Sequence, residues 1–181
     1  MQAHRLKPHP MHPPLSVSSV EVKLRADDPN WLRIRWRIEE AQDVILPKIT
    51  GKKRADGLWQ STCFEVFMQP VGGEPYCEWN FSPSRKWNAY DFQGYRDGMA
   101  EREIAALPDG QLHAGSKLLI FDAAIPKAAI PPGELNIGIT AVVEEKAGTK
   151  SYWSLVHPHD DRADFHDPAC FALALAAPLP S

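Results

Sequence analysis

The chain has 181 residues, 44% hydrophobic and 24% charged, with a formal net charge of −3. That balance suits one globular domain with a sizeable core. Without a net positive charge there is no electrostatic reason to expect nucleic acid or an anionic membrane as partner.

The first residues, MQAHRLKPHPMHPP, are rich in Pro and His, so residues 1–14 are expected to form a poorly ordered tail. They lack the apolar core of a signal peptide, and no apolar run approaches the roughly 20 residues that span a bilayer. The expectation is a reducing, cytoplasmic setting, with a domain over residues 15–177 and a short tail at 178–181. From Val17 the pattern turns to period two. Val20, Val22 and Leu24 alternate with polar residues, and Leu32, Ile34, Trp36 and Ile38 do so against Arg33, Arg35 and Arg37. The second run is a half-buried antiparallel strand whose arginine row reads as a solvated outer face.

Further strand-like runs are Cys63–Gln69, Tyr76–Ser82, Trp87–Phe92, Lys117–Ile125, Leu135–Glu144, Ser151–His157 and Phe171–Leu175. The only helical candidate is Gly98–Leu107. Many short strands separated by Gly, Pro, Asn and Asp predict an all-β fold, an antiparallel β-sandwich or jelly roll with at most one short helix. Cys63, Cys77 and Cys170 cannot form a fully paired disulfide set and none stands in a CxxC spacing, so they read as buried, reduced thiols.

The segment from Leu58 to Arg96 carries the strongest functional signal. It holds Trp59, Trp79 and Trp87, interleaved with Glu65, Glu78, Asn80, Arg85 and Arg96. PVGGEP at 70–75 reads as a hairpin turn. Pairing the flanking strands about it sets Glu65 opposite Asn80, Phe67 opposite Glu78 and Cys63 opposite Ser82. The other face then carries Phe64, Val66 and Met68 against Phe81, Trp79 and Cys77. A one-residue slip would mix these faces, so their separation supports the register. The next strand is expected to add Trp87, Ala89 and Asp91 to the polar face. Aromatic faces beside carboxylates and amides suit a sugar, whose C–H faces stack while its hydroxyls hydrogen-bond.

A second constellation, His157, His159, Asp160, Asp161, Arg162, Asp164, Phe165, His166 and Asp167, follows a strand and reads as a loop. Its spacing matches neither HExxH nor a calcium loop, although its acids admit calcium and its histidines a transition metal. Loops gather at the ends of sandwiches, so this one is expected to wall the same site with His157, Asp161, Arg162 and His166. The alternative is that Arg162 pairs with Asp161 or Asp164 and only stiffens the turn. No nucleophile elbow, P-loop or GxGxxG occurs. Glu65 and Glu78 on adjacent strands point the same way rather than flanking a bond, so a glycosidase pair is not indicated and no catalysis is expected.

LWxxTCFExF, YxExNFSPSxxWxAYxFxxYR and HPxxDRxDFHxPxxF together resemble bacterial DOMON-like proteins, a group with MurB-like members that is related to family 9 carbohydrate-binding modules. The resemblance runs from about Val17 to Leu175. It implies an antiparallel sandwich that binds a saccharide, with Trp59 and Glu65 matching the family's tryptophan and the glutamate six residues on. Arg85 stands where a binding arginine is implied. The second sandwiching tryptophan has no counterpart; Trp153 lies on a strand, and the loop after it offers His157, His159, Phe165 and His166. Other DOMON domains carry haem on Met and His ligands, which points to Met68, Met99 and the 157–166 histidines as one alternative; an interaction domain without a small ligand, its polar sheet face blocked by a partner or its own loops, is another.

Overall fold

The computed structural model describes residues 3–177. Among these, twelve strands form in order: β1 (Ala3–Pro8), β2 (Ser19–Arg25), β3 (Trp31–Glu39), β4 (Cys63–Pro70), β5 (Tyr76–Phe81), β6 (Trp87–Phe92), β7 (Ala100–Glu101), β8 (Asp109–Ala114), β9 (Leu118–Pro126), β10 (Leu135–Glu145), β11 (Thr149–Ser154) and β12 (Leu173–Leu175). Pairing is antiparallel and runs β7-β6-β5-β4-β10-β11-β1-β2-β3-β9-β8, with β12 beside the start of β10. The all-β sandwich expected from the alternation is what forms. Among the described residues every helical segment is a three-residue 3₁₀ turn, and no helix is long and apolar enough to cross a membrane.

The two layers meet over one inner core. Leu32, Ile34, Trp36 and Ile38 of β3 turn inward, while Arg33, Arg35 and Arg37 face out. Across the interface Phe64 stacks on Phe121 at 4.3 Å, Trp36 lies 5.3 Å from Phe64, and Trp36 Nε1 donates to the Thr140 carbonyl at 3.0 Å. That last bond gives the one polar atom of Trp36 a partner in an otherwise apolar layer, as burial demands.

Two expectations fail here. The N-terminal stretch is not a loose tail, because Ala3–Pro8 joins the layers. Ala3–Leu6 pairs with β2, Lys7 and Pro8 pair with β11, and Leu6 is buried in the core. Its anchors are long-range: His9 Nε2 donates to the His159 carbonyl at 2.8 Å, and His157 Nε2 donates to the Lys7 carbonyl at 2.8 Å. Just downstream, the Glu145 carboxylate accepts from the amides of Leu15, Ser16 and Val17 and from the Ser16 hydroxyl, at 2.7–3.1 Å. Gly98–Leu107 is likewise not a helix. Its Ala100 and Glu101 pair with β6, and the Arg102 amide donates to the Ala89 carbonyl at 2.8 Å. Sheet-edge hydrogen bonds satisfy this backbone where a helix of ten residues, with no apolar stripe to bury, would be marginal.

Candidate functional site

The hairpin register is the one the alternation demands: Glu65 faces Asn80, Phe67 faces Glu78, and Phe64, Val66 and Met68 face Phe81, Trp79 and Cys77. Gly72, at φ 79°, supplies the left-handed turn conformation, and Gly73 N–H closes the turn on the Pro70 carbonyl at 3.0 Å. Cys63 and Cys77 consequently lie on opposite faces, and all three cysteines are buried and free.

The phase of β6 differs from the expectation. Phe81 pairs with Trp87, Trp79 with Ala89 and Cys77 with Asp91, which turns Trp87 and Ala89 to the inner core. The outer face instead receives Asn88, Tyr90 and Phe92, opposite Asn80, Glu78 and Tyr76. The cause is the turn. Ser82 pairs with Lys86 around a three-residue loop in which Arg85 adopts φ 74°, and this odd-length connection keeps the even-numbered residues on the outer face, where an even-length turn would have switched them. Arg85 is exposed on that turn and does not line the cleft described next.

The outer face of the β6-β5-β4-β10-β11 layer is covered by two segments, one through Asp56, Leu58 and Trp59 and the other through Phe165, Cys170 and Phe171. Phe67, Tyr76, Tyr90, Phe92 and Val142 from the sheet pack with Phe165, Cys170 and Phe171 from the second segment. Gly138 permits the approach, since a Cβ there would meet the Phe171 ring at 2.7 Å. Between the segments a cleft of about 350 Å³ remains. Its floor is Glu65, Phe67 and Glu78; its walls are Phe92, Val142, Tyr152, Phe165 and His166; Trp59, Arg96, Met99 and Ala163 stand at its edge. Trp59 keeps 39% of its surface exposed and touches Tyr90 edge-on at 6.2 Å. Tyr90 in turn donates to Asp56 at 2.7 Å, as Asn88 does at 3.1 Å, which ties the segment bearing Trp59 to the sheet.

Both floor glutamates are buried, at 3% and 5% exposure. Glu65 Oε2 accepts from Thr140 Oγ1 at 3.1 Å, and Glu78 Oε1 accepts from Asn80 Nδ2 at 2.9 Å. Burial, reinforced by the neighbouring Glu78, pushes the Glu65 carboxyl up to about 8. Burial likewise pushes Glu78 up to about 7, against the Asn80 hydrogen bond and the Arg96 charge. The two carboxyls titrate as a pair, and both are held toward their protonated forms.

The wall opposite is fixed by Asp164, which is 3% exposed. It accepts from the Tyr95 hydroxyl, from the Arg96 guanidinium at 2.8 Å and from the His166 amide at 3.2 Å. These donors hold it below the usual carboxylate range despite burial, which acts the other way. The Tyr76 hydroxyl accepts from the Arg96 amide at 3.2 Å and meets His166 Nδ1 at 2.8 Å, so the tautomer that satisfies both places the imidazole proton on Nε2, 3.7 Å from Glu78 Oε2. Burial and the Arg96 charge lower His166 to about 4, and it is neutral.

Of the residues singled out from sequence, Trp59, Glu65, Glu78, Arg96 and His166 meet at this cleft, with Asn80 beneath them. His157 is engaged with Lys7, and Asp161 and Arg162 are exposed away from the cleft; it is Arg96, not Arg162, that pairs with Asp164. Asn88, Tyr90, Thr140 and Tyr152 escaped sequence reasoning because the phase of β6 and the pairing of β10 beside β4 are not local signals. Met68 lies in the inner core rather than beside the clustered histidines, and Trp153 is also an inner-core residue. Among the described residues no three His, Cys, Asp or Glu side chains group as a metal cage. A second hollow, of about 380 Å³, lies over the arginine row. There Arg33 pairs with Asp28 and Arg35 with Asp122, both largely exposed.

This architecture is that of the sandwich seen in family 9 carbohydrate-binding modules. Superposition relates 97% of the chain to 86% of a Bacteroides uniformis protein named as a candidate carbohydrate-binding protein, with a TM-score of 0.69 and 15% identity. It relates 97% of the chain to 85% of a family 9 module from Caldicellulosiruptor kristjanssonii in complex with glucose, at a TM-score of 0.57 and 10% identity. A structure of a family 9 module from the same organism with cellotriose gives 0.52 and 12% over 88% of this chain and 77% of that one. Identities this low establish the fold and leave the ligand to the site itself. No family model matches the chain, and no curated protein matches it in sequence.

Proposed function

We propose that the chain is a non-catalytic saccharide-binding module whose site is the cleft between Trp59 and the 155–171 segment. The observation that carries this reading is a pair of buried carboxyls, Glu65 and Glu78, on the floor of an aromatic-walled cleft with a half-exposed tryptophan at its edge. Trp59 offers a ring for the apolar face of a pyranose, and the carboxyls accept hydrogen bonds from its polar edge. The glutamates sit on one sheet face at diagonal register positions, so they do not bracket a scissile bond from two sides. The sandwich shared with glucose- and cellotriose-bound modules supports the same conclusion.

Calorimetric titration with a panel of neutral and amino mono- and disaccharides tests the proposal. Millimolar or tighter binding is expected for at least one sugar. Trp59→Ala is expected to weaken that binding about tenfold, consistent with a lost stacking contact of about 1–1.5 kcal/mol. Its melting temperature should hardly change, because the ring is already partly in water. Absence of binding to every sugar at millimolar concentration would overturn the reading.

A further inference from the structure

The floor of the cleft is short of hydrogen-bond donors. Glu65 receives Thr140 and the weak donor of the Cys63 thiol, and Glu78 receives Asn80 alone. His166 Nε2 stops 3.7 Å from Glu78, beyond hydrogen-bond reach. Asn80, fully buried and opposite Glu65 in register, leaves its Oδ1 without any partner. The nearest guanidinium, that of Arg96, is committed to Asp164. Acceptors thus outnumber donors at one buried spot, and no cation touches them.

We infer that this floor is a seat for a primary ammonium, and that the saccharide taken by the cleft is an amino sugar with a free amine. The inference rests on the saccharide reading above and narrows it. An ammonium brings three donors and no acceptor, which is what unmatched carboxyl and amide oxygens require. A hydroxyl brings a single donor, so it leaves acceptors on the floor unmatched even when it accepts in turn from a protonated carboxyl or from His166 Nε2. An N-acetylated amine brings one donor and an acyl group that needs room among Phe67, Phe92 and Phe165. The ring faces of those walls and of Trp59 also attract a cation that has left water.

A cation bound there favours the ionised carboxyls, so binding displaces protons from the pair and strengthens as pH rises. The other ionisable groups facing the pair do not change charge between about pH 5 and about pH 7. Cys63 on β4 and Tyr90 on β6 are pushed up by burial and stay neutral, His166 is already neutral above about 4, and Arg96 and Asp164 remain a charged pair.

The experiment is calorimetry of the full chain with glucosamine, N-acetylglucosamine, glucose and methylamine, at about pH 5 and about pH 7, in two buffers of different ionisation enthalpy. Glucosamine is expected to bind about tenfold or more tightly than glucose and N-acetylglucosamine, more so at the higher pH, with proton release. Glu65→Gln and Glu78→Gln, both isosteric, should each lose the preference for the amine. Equal affinity for glucose and glucosamine, or a preference that ignores pH, overturns the ammonium seat and leaves the saccharide reading standing. Methylamine binding as tightly as glucosamine overturns the sugar component; failure of all three sugars overturns the amino-sugar seat, and failure across the full mono- and disaccharide panel overturns the saccharide reading as well.

Discussion

Replacing Glu65 by glutamine removes an ionisable group from a position where ionisation is costly while keeping the side chain's volume and an acceptor for Thr140. The carboxyl's folded value, about 8, lies above its ordinary 4.5 because burial and Glu78 disfavour the charge. Stability tied to the protonated form is therefore fully present below about pH 4.5 and is lost as pH rises through about 8. At about 1.4 kcal/mol per unit this difference sets a ceiling near 5 kcal/mol for an isolated group. Coupled titration with Glu78 reduces the observable part to about 3 kcal/mol. For a chain of this size that corresponds to about 6–12 °C in melting temperature. Thermal unfolding of both proteins from about pH 4.5 to about pH 9 is the assay. The variant should match the native chain at the acid end and exceed it increasingly toward the alkaline end. A melting difference that stays constant with pH, or that grows toward acid, would refute the account of a buried carboxyl pair held protonated.

Glu145 works in the opposite direction. Burial alone would raise its carboxyl, but four donors hold it below the usual range, so the stability it confers is present above about pH 4.5 and is lost as pH falls through its depressed value. Urea unfolding of Glu145→Ala at neutral pH should show a loss of about 3 kcal/mol, because the amides of residues 15–17 are left without their acceptor. Asp164→Asn should loosen the wall held by Tyr95 and Arg96, with faster amide exchange confined to residues 157–168 and saccharide affinity reduced about tenfold. Phe64→Ala removes the ring stacked on Phe121 at the centre of the inner core and should cost about 3–5 kcal/mol by denaturant titration, without altering the cleft on the other face.

Sequence alone determined whatever depends on period-two alternation. Leu32, Ile34, Trp36 and Ile38 face in and their arginine neighbours face out because each β residue reverses the side of its predecessor. The β4–β5 register follows for the same reason, since only one pairing keeps Phe64, Val66 and Met68 apart from Glu65 and Asn80. Those rules place Glu65 and Glu78 on a common face, and the half of the site they form was legible. Tertiary structure decided what covers that face. The three-residue turn at Arg85 carried the even-numbered phase of β5 into β6, putting Asn88 and Tyr90 rather than Trp87 on the outer surface, and turn length is invisible to an alternation count. Residues 3–8 became a strand because His9 and His157 anchor partners about 150 positions away, a contact that no local composition encodes. The cleft wall likewise depends on Tyr95 and Arg96 reaching Asp164 nearly 70 residues later. Such bonds form only once the sheets have assembled, because loop closure must be paid for by contacts the sandwich core supplies.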